Sequence, residues 1–172
     1  MRQRGFTLLE VMIALLILSV GALGVAALQV KTYKQLQSSY NMGRAAILAG
    51  EMSDRMMANA DEARSDNVYV HSQQYASWVP RDCASHDNGC DSRRWAQFDR
   101  YSWQEKITAT DDDGVPIPGS LPSATGSVAR IGSTNDFLVT VRWDDDLSGS
   151  TGTNCPPQST DDLECYQLTV SL

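Results

Sequence analysis

Chemistry requires suitable side chains within reach of one another, and this sequence offers few such sets. Cys83, Cys90, Cys155 and Cys165 could bind zinc or form disulfides. No two of them stand at the roughly two-to-four-residue separation usual in structural zinc sites, so disulfides are the expected state. His71 and His86 lie in polar stretches without a serine or cysteine placed as nucleophile and base, and surface positions are expected for both. Asp111, Asp112, Asp113 and Gly114 begin like a calcium loop. The position that should bring a bidentate carboxylate is Pro122, which leaves a solvated acidic turn. Asp144, Asp145, Asp146, Asp161, Asp162 and Glu164 could form an acidic face around the second cysteine loop; charge runs of this sort are usually just solvated, and this one could still help choose a partner. No catalytic residue, metal or cofactor is expected.

The residue that stands out is Glu10, a carboxylate near the start of an apolar run. Phe6 to Leu28 contains no Lys, Arg, Asp or Asn. As a helix this run covers roughly 34 Å, enough for a bilayer core. Insertion scales put a carboxylate at mid-membrane at about 2.5–3.5 kcal/mol. A cleaved secretory signal peptide is the competing reading, with Arg2 and Arg4 at its start and Gly24, Val25 and Ala26 as a cleavage site. The run is longer than a usual signal core, and a disposable peptide gains nothing from Glu10. Two structural alternatives remain for the carboxylate. It snorkels to headgroups at the membrane edge, or it is paired with a cation inside a helix bundle.

The rest of the chain must position this segment. In 172 residues there is room for one modest domain beside the anchor. The polar remainder implies a thin core that needs staples. Cysteines confined to that remainder suit an oxidising compartment and place the C-terminal side outside the cytoplasm. Net charge is −7, and beyond residue 70 seven Lys/Arg face fifteen Asp/Glu, which argues against a nucleic-acid partner.

Past Leu28, Leu36, Tyr40, Ile47, Leu48, Met52 and Met56 recur at helical spacing, so the helix should continue until Asn59–Ala63, where turn formers begin. Gly21 and Gly24 fit general packing of a membrane helix as well as any special role. Val68–Val70 reads as a possible short strand. Trp95, Phe98 and Tyr101 fit a second helix capped by Asp91 or Ser92, although alternation through Tyr101, Trp103 and Ile107 also allows a strand at its end. Ser127–Ile131, Phe137–Trp143 and Glu164–Leu172 read as an antiparallel meander. In Phe137–Trp143 the odd positions should face the long helix, and Thr140 and Arg142 should face water. Of three possible connectivities, local pairing of Cys83 with Cys90 and of Cys155 with Cys165 is expected.

Arg4-Gly5-Phe6-Thr7-Leu8-Leu9-Glu10 resembles the class III leader of type IV pilins and type II secretion pseudopilins. The resemblance implies cleavage between Gly5 and Phe6 by a membrane aspartyl peptidase, the prepilin peptidase, and N-methylation of Phe6. It implies an assembly contact in which the Phe6 amine of one subunit meets Glu10 of its neighbour. Glu51-Met52-Ser53-Asp54-Arg55-Met56-Met57-Ala58-Asn59 is similar to the helix end of PilV-type minor pilins, and so, more loosely, is the placement of the cysteine pairs.

The resulting expectation is an α+β chain with the type IV pilin fold: a long N-terminal helix, membrane-spanning in its first half, on a small antiparallel sheet with disulfide-stapled loops. Residues 1–5 would be the leader, 6–28 the transmembrane and assembly helix, 29–63 its amphipathic continuation and 64–172 a periplasmic head. The resemblance implies a non-enzymatic minor pilin of the bacterial inner membrane that primes pilus assembly within a tip complex. Its partners would be other minor pilins and the major pilin through the N-terminal helices, the peptidase, the inner-membrane assembly platform and a large tip adhesin. The alternatives are a minor pseudopilin of type II secretion, or a membrane-anchored periplasmic enzyme or binding module, which would need a convergent polar pocket.

Overall fold

The computed structural model describes residues 7–65, 67–72, 83, 89–109, 117 and 120–172. Gly5, Phe6, His86 and the Asp111–Gly114 turn lie outside them. Helix α1 runs from Leu8 to Ala58, followed by α2 (Ala60–Ser65), a 3-10 turn (Asn67–Tyr69), α3 (Ser92–Ile107) and strands β1 (Thr125–Arg130), β2 (Asp136–Trp143) and β3 (Glu164–Ser171). The chain divides into two units, Met1–Tyr40 and Asn41–Leu172.

In the first unit α1 is long and apolar enough to cross a membrane, and none of that apolar window is buried. Leu36 and Tyr40, expected on the buried stripe, are exposed.

In the second unit the stripe is Asn41, Ala45, Leu48, Ala49, Met52, Ser53 and Met56. These positions recur every three to four residues and so share one helix face. Ile47 lies on the opposite side and is exposed. The stripe thus keeps the expected Leu48, Met52 and Met56, and sets Asn41, Ala45, Ala49 and Ser53 around them where the pattern suggested further large residues. Its apolar members, Ala45, Leu48, Ala49, Met52 and Met56, join Tyr69, Trp103, Ile107, Phe137, Val139, Val141 and Trp143 in one core cluster.

The three strands form an antiparallel sheet in the order β1-β2-β3. Val139, in the central strand, pairs with Val128 on one side and Leu168 on the other. Phe137, Val139, Val141 and Trp143 are buried, as their alternation requires. Thr140 departs from expectation: it is only 3% exposed. Its cross-strand neighbours are Ser127 and Gln167, and Gln167 Nε2 donates to its Oγ1 at 3.5 Å. The same face is closed further along by Arg142, whose Nε donates to Thr153 O at 3.0 Å. A central strand flanked by long polar side chains loses solvent on both faces.

Two other expectations change. Val68–Val70 does not form a strand, because Asn67–Tyr69 is a 3-10 turn; among the described residues of this stretch, His71 alone pairs with the sheet, through a bridge to Val128. The segment from Tyr101 to Ile107 stays helical, which puts Trp103 and Ile107 four residues apart on one buried face. Asp91 caps α3 by accepting from Arg94 N at 2.8 Å.

Candidate functional site

The candidate site begins where α1 begins. Thr7 stands before the first helical residue, and its Oγ1 accepts from Glu10 N at 3.3 Å, as an N-cap hydroxyl does. That cap places Glu10 in the first turn. Val11, Ala14, Leu15 and Leu18 follow it at helical spacing and line a shallow apolar depression with it, of about 410 Å³. Glu10 is exposed, so its carboxylate projects from an apolar surface. Such a surface can bury against hydrocarbon or other helices, and the carboxylate within it then needs a cation. The Phe6 amine that the resemblance assigns as that cation lies outside the described residues.

In the second unit, polar side chains fasten α1 to the head. Arg55 Nη1 meets Asp99 Oδ1 at 3.0 Å and donates to Ser102 Oγ at 2.7 Å. Asn59 Nδ2 donates to Ser92 O at 2.7 Å and to Tyr69 Oη at 3.3 Å, and Tyr69 Oη donates to Asp99 Oδ2 at 2.9 Å. Burial pushes the Tyr69 phenol well above its ordinary pKa, so it stays a donor. Beside Glu51, Ser53 and Asp54, the run that resembles a minor-pilin helix end has Arg55 and Asn59 as polar members. Their physical task is to dock the end of α1 on α3.

Trp103 forms the apolar counterpart. It is fully buried, and its Nε1 donates to Leu48 O at 2.6 Å. Gly126 makes room for it: a Cβ there would lie 2.5 Å from both the Trp103 ring and Ile107. At the other end of the head segment Asn41 Nδ2 and Trp143 Nε1 each donate to Asp145 Oδ1 at 2.8 Å. In the sequence Asp145 is simply one member of an acidic run. Trp143 is a near neighbour in the chain, but Asn41, the donor that ties Asp145 to α1, is 104 residues away, and nothing local in the sequence announces that partner.

Arg130 likewise carries no local signal of its role. Its Nη2 donates to Ala63 O at 2.8 Å and Arg64 O at 3.1 Å, satisfying carbonyls at the end of α2, while its guanidinium lies 4.5 Å from the Phe137 ring centre.

The disulfides join Cys83 to Cys90 and Cys155 to Cys165, with Cα separations of 5.3 and 5.9 Å. The second ties the loop after β2 to the start of β3. The acidic residues there organise that loop rather than forming a uniform solvated face. Asp144 is 3% exposed, and burial alone would raise its pKa, but bonds from Gly149 N, Ser148 N and Ser148 Oγ hold it below the usual carboxylate range. Asp162 is pulled down to about 2, first by Gln158 N and then by the Asn154 side chain. These carboxylates line an open depression of about 530 Å³ together with Pro157 and Thr160. No cluster of metal ligands occurs among the described residues.

His71 is packed rather than sitting on the surface as expected. Its ring meets Trp103 edge-on at 5.8 Å, and Nδ1 donates to Tyr69 O at 2.9 Å. Nε2 then has no partner among the described residues. Burial first, then the charge of Arg100, holds the imidazole at about 4, below its ordinary 6.5. The folded state is therefore neutral at His71, while the unfolded chain takes up a proton below about 6.5. Stability from this group is complete above that pH and is lost as pH falls toward 4. Thermal unfolding of the full chain in detergent should show a falling midpoint over this window, and His71→Leu should flatten the slope.

Residues 1–26 match the family model described as the prokaryotic N-terminal methylation motif. No curated protein and no solved structure matches the chain. The motif supports a prepilin of the type IV pilin or pseudopilin kind, processed by prepilin peptidase. The long apolar helix, the three-stranded antiparallel sheet and the two disulfides are consistent with the type IV pilin fold. Together, motif and helix point to a membrane-anchored protein.

Proposed function

We propose that the chain is a non-enzymatic minor pilin of the PilV type that helps prime type IV pilus assembly. The observation that carries this reading is the methylation motif over residues 1–26 running into an exposed apolar helix with Glu10 in its first turn. In this reading the peptidase cuts between Gly5 and Phe6 on the cytoplasmic side and Phe6 is methylated. The new cation then meets Glu10 of an adjacent subunit as helices gather in the inner membrane. Residues 6–28 serve as membrane anchor and assembly helix, 29–63 continue it, and 64–172 form a periplasmic head. Partners are other minor pilins, the major pilin, the assembly platform and a large tip adhesin. The fastening of Arg55 and Asn59 to α3 supports the reading, because a helix drawn out of lipid needs its head attached firmly.

Mass spectrometry of the mature N-terminus, in cells with and without the peptidase, tests the first step. The expected species starts at methylated Phe6 only when the peptidase is present, and Gly5→Leu should leave the leader attached. An uncut chain in both strains would overturn the reading. Deleting the gene should reduce surface pili; a loss of protein secretion with normal pili would assign the chain to a type II secretion system.

A further inference from the structure

The sheet has two edges; among the described residues a bridge meets the middle of the β1 edge, while the β3 edge is met only at its approach. On β1 the outward backbone at Val128 is occupied: His71 N donates to Val128 O at 2.9 Å and Val128 N to His71 O at 3.1 Å. On β3 only the approach is covered. Gly152 runs parallel beside Asp162, donating to Asp161 O at 2.7 Å and accepting from Leu163 N at 3.0 Å. The Cys155–Cys165 disulfide ties the same loop to the first turn of the strand.

Beyond that point the ladder dictates what is free. Leu172 N donates to Asn135 O at 3.1 Å, and Val170 and Leu168 pair with Phe137 and Val139. In an antiparallel pair the bonded positions alternate, so the even residues of β3 bond β2 and the odd ones turn N–H and C=O outward. Gln167, Thr169 and Ser171 therefore present unpaired backbone groups, with no strand beside them among the described residues. Natural edges are usually blunted by Lys, Pro or a bulge. Glu164–Ser171 contains no Lys or Pro and pairs in unbroken register. On its core side Tyr166, Leu168 and Leu172 are only partly buried, so an added strand would extend the core over them.

We propose that β3, from Gln167 to Ser171, receives an extended segment donated by a different polypeptide. Two copies of this chain fit poorly. Glu164–Ser171 holds no Lys or Arg, so a second β3 brings no positive charge to the acidic end of this edge. Head-to-tail pairing with β1 meets His71 at Val128. The donor alternates apolar and polar residues, its apolar side continuing the Tyr166–Leu168–Val170 row. It carries Lys or Arg at the end nearest Glu164, where Asp161 and Asp162 add negative charge.

The probe is a short synthetic peptide of alternating Thr and Val ending in two Lys, added to the full chain in detergent micelles. Saturable binding is expected, with amide exchange at Gln167, Thr169 and Ser171 slowed while Gly126 and Arg130 are unchanged. Thr169→Pro removes one outward N–H without touching the β2–β3 ladder, and should weaken binding roughly tenfold. Gln167→Pro serves as the second variant, with Leu168 and Val170 protection reporting an intact sheet. Unchanged affinity in both variants, protection on β1 instead, or prior protection of the three amides in the free chain would overturn the proposal. So would self-association that protects the same amides. A peptide ending in two Glu should bind several-fold more weakly, and equal binding would remove the charge preference. The readout is independent of leader processing, so it can fail while the pilin reading stands, and the reverse.

Discussion

Glu10→Ala is expected to be cleaved and methylated like the parent chain and then to be lost from assemblies with other pilin helices. The cause is electrostatic. In the proposed bundle the Phe6 amine of a neighbour is buried with Glu10 as its partner, and removing one member of a buried ion pair costs about 3–5 kcal/mol. On that scale co-purification with pilin partners should fall by roughly a hundredfold or more. Glu10→Gln keeps a hydrogen-bond acceptor without the charge and should fall between the two. The measurement is the amount of processed variant in cross-linked pilin complexes, normalised to its amount in the membrane. Wild-type incorporation of processed Glu10→Ala would reject the pairing. A variant that is not processed would place the role of Glu10 in peptidase recognition instead.

The second large effect lies in the head. Trp103→Ala should destabilise it by about 3–5 kcal/mol, the range for removing a buried large aromatic and leaving a cavity. Three contacts depend on that ring: the bond to Leu48 O, the edge-on contact with His71, and the close approach of Gly126. Trp103→Phe keeps part of the volume, loses the indole N–H, and should cost clearly less. Denaturant unfolding of the full chain in detergent, followed by near-UV circular dichroism, measures both. A loss below about 1 kcal/mol for the alanine variant would mean that the site collapses around the gap and that the ring does not organise the core.

Much of the fold was legible because its signals are local. The apolar run, the period-two alternation of Phe137–Trp143 and the cap at Asp91 each depend on neighbours in sequence, and the elements lie within a few residues of their expected bounds. Where expectation failed, the deciding contact came from far along the chain. Thr140 is polar and mid-strand, yet Gln167 and Ser127 cover it. His71 sits in a polar stretch, yet the bridge to Val128 carries it against Trp103. Tyr40 and Ile47 fit a helical apolar pattern but remain outside the stripe that begins at Asn41.

The candidate site divides in the same way. The leader motif, Glu10 and the apolar run are properties of consecutive residues, because a peptidase and a bilayer read a continuous segment. The sequence alone determined these. The roles of Arg55, Asn59, Asp145 and Arg130 were decided only by tertiary structure, since the partner of each comes from a separate element brought near by folding. The open edge of β3 belongs to that second group. A strand's pattern shows which side chains face the core, but whether its backbone is paired depends on how many strands the sheet has and where the last one lies.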